Sequence, residues 1–221
     1  KGSTPTYGDA EILHTLTVAD DWLTTAGGRG YRFDTAGGEP EITRLYLDKS
    51  ATEIRDDKAH DRPPGNYDNW DDWLLAAGFG VGNKIYIAFI DGVDTGSQCG
   101  IGGMPHARLF TSACAPDYTG MRPNTTGTWQ TLRAARVLVH EVLHVLGAVN
   151  DCAPGHSWGH HAEDPADVMY AYDMVINGEL APGHATHLDP GRDDYWEQGN
   201  SDCGVGRPWP DVSLSPYLVR R

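Results

Sequence analysis

From Thr128 to Leu146 the chain reads TWQTLRAARVLVHEVLHVL and then meets Gly147. This is the longest helical run in the sequence, and Leu132, Val139, Val142, Leu143 and Leu146 make it apolar around most of its girth. Such a helix belongs at the centre of a fold. It nevertheless carries His140, Glu141 and His144, and buried polar groups without partners cost a few kcal/mol each. The fold must therefore supply partners for these three side chains. Residues four apart share a helix face, so both imidazoles can bind one metal ion. Glu141, one residue along, can reach a water on that ion without being a ligand. That is the arrangement metal-assisted hydrolysis requires: the ion polarises a carbonyl and acidifies the water, and the carboxylate moves the proton. An HExxH sequence arises by chance in roughly 0.02 of chains of this composition.

Composition narrows the class. The formal net charge is −14 and the pI is about 4.9, which excludes nucleic acid and an anionic membrane as partners, because both reward Lys/Arg patches. No apolar run approaches the ~20 residues of a membrane helix. A hydrophobic content of 39%, with seven Trp and ten Tyr, is enough for a real core. Cys99, Cys114, Cys152 and Cys203 form no Cys-x-x-Cys pair, so they predict two disulfides and a secreted, extracellular protein rather than a zinc knuckle. The start at Lys1 without Met predicts a processed form whose upstream segment has been removed. No repeat or long linker interrupts the chain. One domain over 1–221 is expected, with an upper part of about 1–147 and a lower part of about 148–221, as a monomer.

Periodicity predicts helices over 10–26, 66–79 (capped by Asn66 or Asp68), 128–146 and 189–198. Strands are expected at 31–33, 42–47 and 84–90, with an edge strand at 108–112. KIYIAFI (84–90) is almost continuously apolar, which predicts cover on both faces. Residues 91–103 read as a Gly-rich loop. Helices and strands mix up to residue 147, and an irregular tail follows.

Two imidazoles make a weak zinc site; a catalytic one takes three protein ligands plus a water. HEVLHVLG, followed by Val168-Met169-Tyr170, resembles the metzincin clan of zinc endopeptidases, whose motif is HExxHxxGxx then His or Asp, with a Met-containing turn downstream. The position of the third ligand is Asn150 here, a poor zinc ligand, with Asp151 next. The stretch from Cys152 to Tyr170 is similar to secreted actinobacterial metzincin-like proteins with a lengthened loop, in which a Gly-His pair nine residues before the Met is the third ligand. That resemblance implies His140, His144 and His160 as Zn²⁺ ligands, with Asp151, His161 and His156 as alternatives, Glu141 as general base and acid, and Met169 as the floor. Glu163, 19 residues after His144, also fits the spacing of thermolysin-like gluzincins, but HHAEDPAD is a poor helix interior.

The resemblance further covers KIYIAFIDG (84–92), CGIGG (99–103) and LDPGRDDYW (188–196). It implies disulfides Cys152–Cys203 and Cys99–Cys114, and an α+β zincin fold: a small mixed, mostly parallel sheet with helices above an HExxH helix and Met-turn, and an irregular C-terminal part. Metzincins begin with a strand before the first helix, so either Lys1–Gly8 supplies one or an upstream piece is missing. Tyr170 or Tyr172 stands where clan members place a metal- or oxyanion-contacting tyrosine; core packing also accounts for either. The pairs Asp56-Asp57, Asp71-Asp72 and Asp193-Asp194 are candidates for Ca²⁺, though none has an EF-hand pattern. His14, His60, His106, His184 and His187 have no partner at metal spacing. The expected function is a secreted zinc metalloendopeptidase acting on protein or peptide substrates in extended form. The rivals are a non-catalytic zinc-containing binding protein of the same fold and a zinc hydrolase acting on a non-peptide amide.

Overall fold

The computed structural model describes residues 7–56, 69–80, 84–96, 98–103, 105–114, 133–171, 175–176, 179–180, 186–199, 201–202 and 208–221. Among these the chain forms a small mixed α+β fold of five α-helices and short sheets. No described helix is long and apolar enough to cross a membrane.

Helix α1 (Asp9–Gly27) starts where the Glu11 carboxylate accepts the Gly8 N–H, and it buries Leu16, Ala19 and Leu23. β1 (Arg29–Tyr31) follows, then a hairpin of β2 (Thr35–Ala36) and β3 (Glu39–Pro40). The expected strand at 42–47 has no regular structure. Its alternation is genuine, but no strand among the described residues pairs with it, and Tyr46 is 91% exposed. A short helix that periodicity missed, α2 (Ala51–Asp56), begins there instead. Ser50 and Glu53 exchange hydrogen bonds across its first turn, a capping box. α3 (Asn69–Ala76) lies inside the helix expected at 66–79; its proposed caps fall outside the described residues.

The central sheet contains β4 (Tyr86–Ile90), β5 (Gly100–Gly103) and β6 (His106–Phe110) in the order β4-β6-β5. β4 runs parallel to β6 and β5 antiparallel to it, so the sheet is evenly mixed rather than mostly parallel. The roles of the two long strands are also exchanged. β6 is central and buried along its whole length, whereas β4 lies at the margin and is mostly half-buried. The edge strand expected at 108–112 is instead the end of this central strand, and its Arg108 is buried over the Trp70 ring. The supposed loop 91–103 ends in strand β5. α4 (Thr111–Cys114) continues from β6, and the Cys99–Cys114 disulfide ties it to the residue before β5.

α5 (Arg133–Val145) carries the HExxH sequence; residues 128–132 of the expected helix lie outside the described set. It packs on α1, β5 and β6. After it come the short pairs β7 (Val175–Ile176) with β8 (Glu179–Leu180) and β9 (Ser201–Asp202) with β10 (Pro208–Trp209). The last strand, β11 (Leu218–Arg220), returns to pair antiparallel with β1. The helix expected at 189–198 does not form. There the Asp189 carboxylate accepts the N–H groups of Tyr195 and Trp196, at 2.8 and 2.6 Å, so a side chain takes donors that a helix would have used. One core cluster joins Leu16, Leu23, Leu138 and Leu143 to Val168, Met169, Tyr195 and Trp196 from the tail. Cys152 is disulfide-bonded; Cys203, its implied partner, lies outside the described residues.

Candidate metal centre

Residues 140 and 144 stack one turn apart on α5, and their Nε2 atoms stand 3.0 Å apart. The helix ends immediately afterwards. Gly147, at φ 88°, gives its N–H to the His144 carbonyl while Ala148 gives its own to Leu143, which is the Schellman arrangement that satisfies the last carbonyls and turns the chain back.

The returning loop delivers a third imidazole. Ring nitrogens of His140, His144 and His161 all lie within 4.8 Å of one another. The favoured third residue, His160, is placed elsewhere: its Nδ1 lies 3.2 Å from the Val149 carbonyl and 3.4 Å from Asp151 Oδ1, in a second group with His156. His161, one of the alternatives, takes the position instead. The cause is local. His156 bridges antiparallel to Ala162, and Gly159 and His160 both adopt left-handed φ values of 66° and 63° to close the reversal. Neighbouring residues then face opposite ways, so only one of the two histidines can join the helix pair. Asp151 and His156 stay with His160, and Glu163 is exposed.

The donors are oriented for a cation. His140 Nδ1 lies 2.8 Å from the Val168 carbonyl and His161 Nδ1 lies 2.9 Å from that of Trp158. A carbonyl only accepts, so both Nδ1 atoms carry the proton and each Nε2 keeps its lone pair. Burial pushes His140 down to about 3 and lowers His161 as well, so both are neutral at pH 7. Three imidazoles are a good donor set for zinc, and backbone carbonyls behind two of them are the usual means of fixing ring orientation. The residues present therefore fit the ion.

Glu141 points to a different environment from the three rings' hydrogen-bond partners. It is 7% exposed, and a Cβ placed on Gly100 would stand 2.5 Å from its Oε1. Burial drives its carboxyl up to about 8, against the Gly102 N–H, which donates to it, and the positive charges of Arg108 and Arg136. Both arginines are buried, on β6 and on the helix itself. Met169 is fully buried, and its N–H donates to Asp167 Oδ1 at 2.7 Å. The preceding carbonyl, from Val168, is the one that receives His140. Tyr170 is half-buried and gives its N–H to the Asp167 carbonyl; Tyr172 lies outside the described residues.

Sequence reasoning missed Arg108, Arg136 and Trp158. The first two read as ordinary charges, and nothing in their spacing reports burial. Trp158 is 61% exposed with its ring centroid 5.1 Å from that of His161; its place directly before the Gly159-His160 pair was the available signal. A separate cavity of about 400 Å³, lined by Asp20, Asp21, Arg32 and Arg221, contains none of these histidines, and Asp20 there is engaged by the Tyr31 N–H and Arg221. No protein-family model, curated protein or solved structure matches the chain.

Proposed function

We propose that the chain is a secreted zinc-dependent endopeptidase of metzincin type, with His140, His144 and His161 holding the ion. The observation that carries this reading is the convergence of a third imidazole from the loop on the HExxH pair. When bound, zinc would polarise the scissile carbonyl and acidify the attacking water. Glu141 accepts that water's proton and returns it to the departing amine nitrogen as the C–N bond breaks. Its raised pKa describes the protein without an ion; a nearby dication favours the carboxylate, as do Arg108 and Arg136. The Gly102 N–H donates to this carboxylate. β5 lies at the sheet margin directly against α5, and among the described residues its second edge has no strand partner, so an extended peptide can run along it by backbone pairing.

The test combines zinc content with casein cleavage for wild type and Glu141→Gln, with and without 1,10-phenanthroline. One zinc in both proteins, and cleavage only by chelator-free wild type, is expected. One zinc in both with no cleavage by either would favour a zinc-containing binding module or a non-peptide amide as substrate. Failure to retain stoichiometric metal would refute the proposal.

A further inference from the structure

Behind the Met169 turn lies a second set of ligand atoms with different chemistry. Asp167, Asp189 and Asp194 are 1%, 1% and 7% exposed, and one carboxylate oxygen from each lies within 4.8 Å of the other two. Their hydrogen bonds are unequal. Asp189 Oδ2 accepts the N–H groups of Tyr195 and Trp196, and Asp194 Oδ1 accepts the Gly155 N–H at 2.7 Å. Asp167 Oδ1 accepts from the Met169 N–H and the Tyr195 hydroxyl, both at 2.7 Å. Asp167 Oδ2 is buried with no hydrogen-bond partner among the described residues. Burial raises the Asp167 and Asp194 carboxyls, and neighbouring carboxylates add to the rise: Asp189 and Asp194 on Asp167, and Asp189, Asp193 and Glu163 on Asp194.

Three carboxylates at this spacing in the interior of a chain with net charge −14 need compensation, because burying uncompensated charge costs several kcal/mol per group. Two occupants can supply it: a proton on Asp167 Oδ2 or a cation. An all-oxygen anionic donor set suits a hard divalent ion rather than zinc. We propose that Asp167, Asp189 and Asp194 form a calcium site that fastens the Met169 turn to the C-terminal segment. Asp167 sits one residue before Val168, whose carbonyl receives His140, and Asp194 holds Gly155 in the loop that leads to His161. The ion thus braces the second coordination layer of the candidate zinc centre, while the site rests on the carboxylates alone and does not depend on the zinc reading.

The experiment uses the full chain, stripped with EDTA, returned one equivalent of zinc and held in 150 mM NaCl. Thermal unfolding is followed with and without millimolar CaCl₂. Terbium, which substitutes for calcium, is titrated with excitation through Tyr195 and Trp196. Wild type should gain several degrees in Tm with calcium and show sensitised terbium emission at one site per chain, displaced by calcium. Asp167→Asn and Asp194→Asn should bind terbium at least ~10-fold more weakly and lose the calcium shift. His144→Ala, which removes a candidate zinc ligand, should keep both responses, so failure of the zinc reading is distinguishable from failure of this one. Wild type without a calcium shift or calcium-displaceable emission overturns the site, and a shared proton then holds the carboxylates together. Emission that survives both Asp→Asn changes also overturns it, since the ion would then sit on the acidic surface. The wild-type titration decides the matter even if a variant fails to fold.

Discussion

A neutral imidazole has one lone pair, and the hydrogen bond made by its other nitrogen decides where that pair points. Val168 and Trp158 carbonyls make that choice for His140 and His161, whereas His160 spends its Nδ1 on Val149 and Asp151. Replacing His161 with Ala should therefore weaken zinc binding by at least ~100-fold, and His160→Ala should leave it within a few-fold of wild type; competition with a chromogenic chelator separates the two outcomes. Equal losses, or loss in His160→Ala alone, would return the ligand role to His160. The helix pair was legible because the i, i+4 relation is a property of the helix itself. The choice between two adjacent histidines was not. It depends on which residue of a reversal faces inward, and a count of nine residues to Met169 carries no facing information. Arg108 and Arg136 were illegible for a related reason: charge is visible in a sequence but burial is not, and the Glu141 carboxylate beside them lies on another element from Arg108 and five residues along α5 from Arg136.

At the scale of elements, the contact between β5 and α5 sets how near the sheet margin can come to Glu141 and His144. A Cβ on Gly102 would stand 2.3 Å from the Glu141 carbonyl oxygen and 2.9 Å from His144 Cβ, whereas Gly103 has nothing within 4 Å and no left-handed φ. Gly102→Ala should cost about 1–3 kcal/mol by overpacking, and Gly103→Ala should stay within about 0.5 kcal/mol; urea unfolding with an unchanged m-value is the measurement. The glycines that allow this approach are also what made 91–103 read as a loop, since glycine is a poor strand former until a second surface demands its small size. The exchange of β4 and β6 has a similar origin. KIYIAFI looks central by composition, but position in a sheet follows from which strand finds partners on both sides. Ser50 provides an independent check on the short helix α2: Ser50→Ala removes the acceptor for the Glu53 N–H and should cost about 1 kcal/mol. No change in stability would mean that the helix is held by Ile54 packing alone.

Across the whole molecule, the tail is irregular in backbone yet continuous with the core. Val168, Met169, Tyr195, Trp196 and Leu218 belong to one buried cluster with α1 and α5, so the upper and lower parts share one interior, as a chain this acidic needs if it is to offset its own repulsion. The last residues close that unit. β11 pairs with β1 in the register Arg29 to Arg220 and Tyr31 to Leu218, and Arg221 reaches Asp20, which in turn accepts the Tyr31 N–H at 2.6 Å. Asp20 illustrates the balance: burial raises its pKa, while the Tyr31 N–H and then Arg221 act against that rise. Removal of 218–221 takes away the strand partner of β1, exposes the space filled by Leu218 and leaves Asp20 buried with less compensation. Loss of the Leu218 side chain alone is worth about 2–5 kcal/mol, so the shortened chain should unfold at clearly lower urea. Because the cluster is continuous, its far-UV circular dichroism and Trp fluorescence transitions should still coincide. Two separated transitions would mean that the parts before and after Gly147 fold as distinct units, and unchanged stability would mean that the β1–β11 pairing contributes nothing to the core.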